Sequence, residues 1–490
     1  MIVWLGAYPC MRENLSMRCL TTIGAALLIG CAAGPDYLQP PVDVPMAYKE
    51  GAQWKIARPQ TVETRQAWWA IYGDPVLDDL IVQAIRANQN IAQAEAQVRQ
   101  ARALADAARA GFFPSLGATA DGARARTNSN GNIAVGNSVG IALQAGWEPD
   151  LWGGVRRAAE AGEAGSQASA DDLAAARLSI QALLAQDYFQ LRTTDRLADL
   201  YRRTVDAYRK SLSLTRHQYD VGVALRSDVA LAQTQMESAD AQRIELQLQR
   251  AQPEHAIAIL LGKTPAAFSL VAVEAPLVSV PATPPGLPSQ LLERRPDIAA
   301  AERRAAQANA NIGVARAAWF PTVQLSASDG RSSAGLSTLF AAPSRVWSLG
   351  TALAGTLFDG GLRGAHSDQA VAAYDGAAAQ YRQTVLAGFQ EVEDSLAALR
   401  LLDEESVVQE RAVQAAQLAE KLALAQYRAG TASYLGVVTA QTLALTNERA
   451  AVQLRGRQLV ASVALVKASG GGWSTTEPDG VIKAAPVASD

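Results

Sequence analysis

The chain has 490 residues, of which 49% are hydrophobic and 19% charged, and its formal net charge is −3. This composition is typical of folded proteins and excludes both a disordered chain and a strongly basic nucleic-acid-binding protein. No stretch reaches the roughly 18 apolar residues of a transmembrane helix. Three histidines and three cysteines leave few residues for a metal site or a catalytic pair, so the sequence predicts neither an enzyme nor a cofactor.

The N-terminal 30 residues have the features of a secretory signal. After Met17 come a positive charge, an apolar run over 21–30 that is too short to span a membrane, and then Cys31. The motif LIGC at 28–31 resembles the lipobox of bacterial lipoproteins, in which this cysteine is acylated and becomes the new N-terminus. The alternative is an ordinary signal peptide with a chance cysteine. Residues 1–16 belong either to an earlier start codon or to a longer leader.

The rest of the chain contains the same unit twice. An ungapped alignment of 91–116 with 298–323, an offset of 207, has 12 identities in 26 positions. At an offset of 208, YDVG at 219–222 matches YRAG at 427–430. Such a constant offset over this distance indicates an internal tandem repeat of about 207 residues.

Two long segments, 155–220 and 362–429, contain no proline. As continuous helices they would be about 100 Å long, which exceeds the usual globular length and favours a coiled coil. An apolar stripe with the spacing of a coiled-coil seam supports this interpretation. It consists of Leu197, Tyr201, Val205, Tyr208 and Leu212.

Between the Phe-Pro and Gly-Gly pairs of each repeat, the hydrophobic period changes from 3.6 to 2. In 138–147 and 347–357 the odd positions are mostly apolar and the even ones small or polar, and the alternation is weaker in 115–122 and 322–329. Alternating segments of about ten residues are the signature of a transmembrane β-barrel.

Four strands per chain cannot close such a barrel, because the smallest outer-membrane barrels have about eight. An open sheet edge in lipid also leaves backbone groups unsatisfied, so the chain must oligomerise. Two copies give eight strands and three give twelve, and the small, polar inner face favours the wider barrel. We expect 126–137 and 333–345 to be the loops between paired strands.

These features resemble the outer-membrane factor family, the TolC-like exit ducts, and specifically its lipoprotein branch, which serves resistance-nodulation-division (RND) efflux pumps. The resemblance covers nearly all of 28–470. It is most specific at GPDY (34–37), at the Trp pair (68–69), at LPSQLLERRPDI (287–298) and at NIGVAR (311–316).

The resemblance implies an α/β membrane protein: a trimeric 12-stranded transmembrane β-barrel with four strands per chain, continued by a long periplasmic α-helical coiled-coil barrel. It also implies a mixed belt around the equator. The expected organisation is a signal peptide (1–30), a lipid-anchored segment (31–67), a first repeat (68–262), an equatorial linker (263–296), a second repeat (297–470) and a C-terminal tail (471–490).

The helical tips are the functional end that the resemblance implies. The turns at 220–227 and 428–434 would lie farthest from the membrane, where family members meet a periplasmic adaptor (membrane fusion) protein. The contact residues expected there are Gly222, Arg226, Gly430 and Tyr434. The alternative is that the two glycines only provide the backbone freedom that a chain reversal needs.

Three further residues correspond to the family's channel constriction. Leu435 matches a hydrophobic ring that narrows the channel, and Asp228 matches an acidic position. One turn beyond Leu435 the family commonly carries Asp, whereas this chain has Thr439. The alternative role of Asp228 is to cap its helix.

The implied function is the exit duct of a tripartite efflux system that exports drugs and other small molecules. Its partners would be two further copies of the chain, the adaptor, an inner-membrane RND pump and outer-membrane lipids. Lipid attachment at Cys31 would anchor the chain, and Ala32, where retained lipoproteins tend to have Asp, favours the outer membrane. The alternatives are a duct for type I protein secretion and a coiled-coil lipoprotein without a pore, although such a rod needs no strands.

Overall fold

The computed structural model describes residues 33–51, 67–129, 132–281 and 288–471. The predicted signal peptide, Cys31 and residues 472–490 of the predicted tail lie outside the described residues. None of the helices in the described ranges is both long and apolar enough to cross a membrane.

The chain divides into two compact units. The strand unit comprises the described parts of 1–40, 99–168 and 301–380, and the helical unit comprises those of 41–98, 169–300 and 381–490.

Both repeats contain the same five elements in the same order. The first has α2 (Gln89–Ala110), β1 (Ser115–Ser129), β2 (Asn132–Trp147), α3 (Gly154–Asp220) and α4 (Arg226–Leu260). The second has α6 (Pro296–Ala317), β3 (Thr322–Ser333), β4 (Arg345–Ala354), α7 (Leu362–Arg428) and α8 (Tyr434–Ala468). The helices have 22, 67 and 35 residues in both repeats, which confirms the predicted duplication. Two shorter helices, α1 (Pro75–Ala87) and α5 (Pro288–Arg294), precede the two repeats.

The four strands form one antiparallel sheet in the order β1-β2-β3-β4. The two repeats join through β2 and β3, which pair from Val139 with Ser333 to Trp147 with Leu325. Within the described residues β1 and β4 each have a single partner, so both outer edges of this sheet are open. The helix side of the sheet is the end where the strands adjoin α2, α3, α6 and α7. The loop side is the opposite end.

The loop predicted at 126–137 is wrong, because β1 and β2 pair up to Ser129 and Asn132. The prediction relied on the Asn/Gly-rich composition, whereas a ladder is formed by backbone groups that every residue except proline supplies. The loop predicted at 333–345 begins and ends within one residue of the observed one, which contains two short 3₁₀ turns.

β4 ends at Ala354, three residues before the predicted end of the strand at 357. Its last partner on β3 is Thr322, which directly follows Pro321. Proline has no backbone N–H, so the ladder cannot continue past this position.

The helical unit has a core around the Trp pair at 68–69. Tyr188 donates a hydrogen bond of 2.6 Å to the carboxylate of Asp74, and the hydroxyls of Tyr72 and Ser462 lie 2.8 Å apart. The core also includes Leu77, Ile81, Leu184, Phe189, Ile257, Leu459 and Val463. Leu270, Leu277 and Val278, from the segment expected to be the equatorial linker, pack against it.

Arg295, from the RRPD part of the block at 287–298, is buried and joins three helices. It forms ion pairs of 2.6 Å with Asp297 and Glu391 and donates to the carbonyl of Ala468 at 3.3 Å. Burial alone lowers the pKa of Arg295, but the two carboxylates outweigh this effect and raise it. The guanidinium is therefore charged and ties α6, α7 and the end of α8 together.

Candidate functional site

The sheet has two chemically different faces. Residues directly opposite each other on antiparallel strands share a face, and the register places Leu143 beside Ala118 and Leu349 beside Ala327. The apolar face consists of odd positions on β2, β3 and β4 and even positions on β1. Its exposed large hydrophobic members are Leu116, Ile133, Val135, Ile141, Leu143, Trp147, Leu325, Trp347, Leu349 and Leu353.

The opposite, small-residue face carries mainly Gly, Ala, Ser and Thr. Two pairs of polar side chains bond to each other on this face: Gln144 donates to the Thr119 hydroxyl at 3.5 Å, and the hydroxyls of Ser328 and Ser348 lie 2.8 Å apart. Asp121 is the one charged residue on this face among the described strand residues. One face of the sheet is thus suited to lipid and the other to water.

Aromatic residues cluster at the helix side of the sheet. Trp147 donates its indole N–H to the carbonyl of Phe112 at 3.1 Å, and Trp152 stacks on Phe320 with ring centroids 4.9 Å apart. Exposed Phe113 and Trp319 follow α2 and α6 at the same end. Aromatic girdles of this kind flank the apolar band of outer-membrane barrels at the interfaces.

The first described residues dock on this same end of the strand unit. The amide of Ala33 donates to the carbonyl of Trp152 at 3.0 Å, and Arg157 bonds both the Ala33 carbonyl (3.2 Å) and the Asp36 carboxylate (2.7 Å). Gly34 has a φ of +93°, and a Cβ there would lie 2.5 Å from the Cα of Gly313. These contacts explain the GPDY and NIGVAR motifs, but sequence reasoning did not identify Arg157.

The two helical tips, residues 218–229 (first tip) and 426–437 (second tip), have matching backbones. Gly222 (φ +81°) and Gly430 (φ +74°) occupy the left-handed region two residues after the end of a long helix. Val223 N–H donates to the Gln218 carbonyl at 2.8 Å, and Thr431 N–H to that of Gln426 at 3.0 Å. Both helices therefore end in a Schellman motif, which requires glycine or a similarly permissive residue.

The first tip presents apolar side chains to its surroundings. Tyr219, Val221, Val223 and Leu225 are all exposed, and so is Arg226. The carboxylate of Asp228 accepts a hydrogen bond of 3.1 Å from the Leu225 amide, so it reaches back to the start of α4 as in a capping box. A capping role for Asp228 is consistent with this contact.

The second tip is closed by an aromatic pair. The rings of Tyr427 and Tyr434 meet edge to face with centroids 5.1 Å apart, and Tyr434 is only 2% exposed. Burial raises the pKa of Tyr434 to about 12, and nearby Tyr427 and Asp228 add to the shift. Tyr434, expected to contact an adaptor, therefore has its side chain inside this tip rather than on its surface.

Leu435 and Thr439 lie one turn apart on α8. Leu435 is 59% exposed, and the Thr439 hydroxyl donates to the Leu435 carbonyl at 2.9 Å. The exposed surface here is thus an apolar side chain above a neutral hydroxyl that bonds within its own helix. Among the described residues no group of three or more His, Cys, Asp or Glu could hold a metal ion.

Comparison with known proteins gives consistent matches along the chain. The family model for outer membrane efflux proteins matches residues 80–263 and 287–471. The toluene efflux pump outer membrane protein TtgC of Pseudomonas putida is 32% identical over 457 residues, covering 92% of this chain and 94% of the relative. The pyoverdine export outer membrane protein OpmQ of Pseudomonas aeruginosa is 33% identical over 479 residues, covering 94% and 98%.

A solved structure has the same fold. The outer-membrane channel OprN superposes with a TM-score of 0.85 at 31% identity, over 90% of this chain and 100% of that one. The predicted combination of four barrel strands with two pairs of long helices per chain is confirmed by this similarity and by the observed elements.

Proposed function

The chain belongs to the outer membrane efflux protein family and is an outer membrane channel of an efflux system, and on that premise we propose how it is assembled and what it serves. It is a passive, non-enzymatic homotrimeric duct. It receives small molecules from an inner-membrane RND pump through a periplasmic adaptor and releases them outside the cell.

The observation that carries the proposal is the sheet with one apolar face and two open edges. Each open edge in lipid would leave backbone groups unsatisfied at several kcal/mol apiece. Pairing β1 of one copy with β4 of the next removes both edges, and three copies give a twelve-stranded barrel. The small-residue face then lines a lumen wide enough for water and solutes.

The same observation argues against a coiled-coil rod without a pore, which has no use for a lipid-facing sheet. Against protein secretion, we note that TtgC and OpmQ are named for toluene and pyoverdine, neither of which is a protein. Both relatives are about equally similar to this chain. We therefore propose that its cargo consists of small molecules and that the pump determines which of them are exported.

We propose that Cys31 carries the lipid anchor. Two residues reach at most about 7 Å, and Ala33 is bonded to Trp152 at the aromatic, helix-side end of the sheet. Acyl chains on Cys31 would therefore enter the inner leaflet beside the barrel. Cys31→Ser should abolish labelling by a radioactive fatty acid, and labelling that persists in the variant would refute the anchor.

At the tips we propose a division of roles. The apolar surface of the first tip, with Arg226 and the Gly222 turn, docks the adaptor together with the backbone of the Gly430 turn. Tyr434 supports that turn from within. Leu435 from three copies forms the dry constriction, and Thr439, in place of a carboxylate, keeps cation binding there weak.

The experiment that tests the duct compares two neighbouring residues in the middle of β4. Leu349→Arg places a charge on the apolar face, opposite Ala327, at a cost of about 2–4 kcal/mol per copy near the midplane of the bilayer. Ser348→Arg places the same charge on the small-residue face, in water. We expect the first variant to deplete assembled trimer in outer-membrane fractions and the second to assemble normally. Equal depletion by both would refute the barrel.

A further inference from the structure

The four arginines of the described sheet all lie on one face and at one end. Arg124 and Arg126 on β1, Arg331 on β3 and Arg345 on β4 share the apolar face and its loop-side half. Asp329 is the single acidic residue among the described strand residues of this face. The face is therefore apolar on the helix side and carries a net positive charge on the loop side.

The group formed by Arg331, Arg345 and Asp329 has one positive charge in excess. The two arginines are directly opposite each other on paired strands, a placement that destabilises like charges. Asp329 binds Arg345 through both oxygens, at 3.1 and 3.3 Å. Arg331 instead lies over the ring of Phe340, 5.9 Å from its centroid, and points one nitrogen at the carbonyls of Phe340 and Ala341.

A pocket of about 260 Å³ opens between these groups and the apolar face. Its polar wall consists of Arg331, Arg345 and Asp329, and its apolar wall of Ile141, Leu143 and Phe340. A ligand that fits both walls has an anionic head and a hydrocarbon portion. Arginine's planar fork matches the oxygens of a phosphate better than the single oxygen of an alcohol, since it offers parallel N–H donors.

From this geometry we infer that the arginine cluster (Arg331 and Arg345) binds a phosphate group of a phosphorylated glycolipid in the outer leaflet, with acyl chains along the apolar face. The inference rests on the proposed function, because it takes the apolar face as lipid-facing and the loop side as the cell exterior. The cluster then lies at the interface, where an arginine facing lipid costs only about 0–1 kcal/mol before any ligand binds.

The test uses the purified full-length trimer and bisphosphorylated lipid A in mixed micelles, with binding followed by native mass spectrometry. The double variant Arg331→Gln/Arg345→Gln should retain at least fivefold less lipid A than the unmodified protein. The control Arg411→Gln/Lys421→Gln removes the same charge from exposed positions on α7 and should bind as the unmodified protein does. Dephosphorylated lipid A should bind weakly to all of them.

Equal lipid A retention by the cluster variant and the unmodified trimer would overturn the inference, and so would equally strong binding of phosphatidylglycerol, which would make the cluster a general anion site. Should the double variant fail to assemble, Phe340→Ala in the loop provides a second test, with an expected loss of two- to threefold. Failure of the proposed function is distinguishable, because it would appear as missing trimer or missing conductance in the unmodified protein.

Discussion

The first and second tips share a backbone turn but expose different side chains. Tyr219 and Tyr427 occupy equivalent positions one residue before the last residue of their helices, yet the first is 44% exposed and the second 7%. The cause is the residue seven positions later. Tyr434 packs on Tyr427, whereas its equivalent in the first tip is Arg226, whose charged side chain stays exposed.

This difference indicates how a duplicated unit can acquire two roles. Helix length and the left-handed glycine are retained in both copies, so each turn has the same backbone. Single side chains then decide whether a tip is a closed core or an apolar surface that a partner can cover. We assign aromatic packing and the constriction to the second tip, and the apolar side chains that dock the adaptor to the first.

The largest effect should come from removing the aromatic pair. Tyr427→Ala deletes a buried ring, for which losses of about 3–5 kcal/mol are typical. Because every 1.4 kcal/mol is tenfold, amide hydrogen exchange over 424–438 should accelerate more than 100-fold. The matched variant Tyr219→Ala deletes an exposed ring and should change exchange over 216–230 less than threefold. Similar acceleration at both tips would contradict the assigned difference in packing.

The sequence predicted the backbone that the two tips share better than the side-chain packing in which they differ. The repeat, the proline-free helices and the turn glycines all follow from local patterns, and the structure has the helices and turns within a residue or two of the predicted positions. The burial of Tyr434 depends on contacts with another helix, about which the local pattern has no information. The predicted strand ends were wrong for the same reason. The pairing that continues to Ser129 and the end of the ladder beside Pro321 both depend on the partner strand.

The next largest effect should come from giving the second tip the residue that the first has. Leu435→Ser introduces the residue found at the equivalent position 227 and removes the apolar ring of three side chains. Since a narrow apolar ring excludes water and ions, we expect single-channel conductance in planar bilayers to rise severalfold and cells to become sensitive to vancomycin.

Leu422→Ser is the matched control for this change. Leu422 is 53% exposed on α7, similar to Leu435, but lies away from the turn, inside the helix. Its substitution should leave conductance unchanged. An unaltered conductance in Leu435→Ser would place the constriction at other residues.

Substituting either of the two turn glycines should have a smaller effect on hydrogen exchange, and the effect should be equal at the two tips. Gly222→Ala and Gly430→Ala meet no steric neighbour within 4 Å, so their cost is that of a left-handed backbone alone, about 1–2 kcal/mol. Hydrogen exchange at each tip should accelerate about tenfold. Gly436→Ala is the control, because this glycine lies inside α8 with no positive φ, and alanine there should slow exchange. Unequal costs at the two turns would refute the matching backbones.

The smallest effect should come from substituting Asp228. The two substitutions below distinguish a carboxylate that caps its helix from one that contributes charge to the channel wall. Asp228→Ala removes the acceptor for the Leu225 amide, at a cost of about 1 kcal/mol, and should accelerate exchange at the start of α4 about fivefold. Asp228→Asn keeps an acceptor oxygen but no charge. If Asp228 acts only as a cap, Asn restores slow exchange and both variants keep the unmodified cation selectivity. Three carboxylates around one axis would attract cations. If the cation selectivity falls equally in Asp228→Ala and Asp228→Asn, Asp228 belongs to the channel wall. The first tip would then contribute to the constriction.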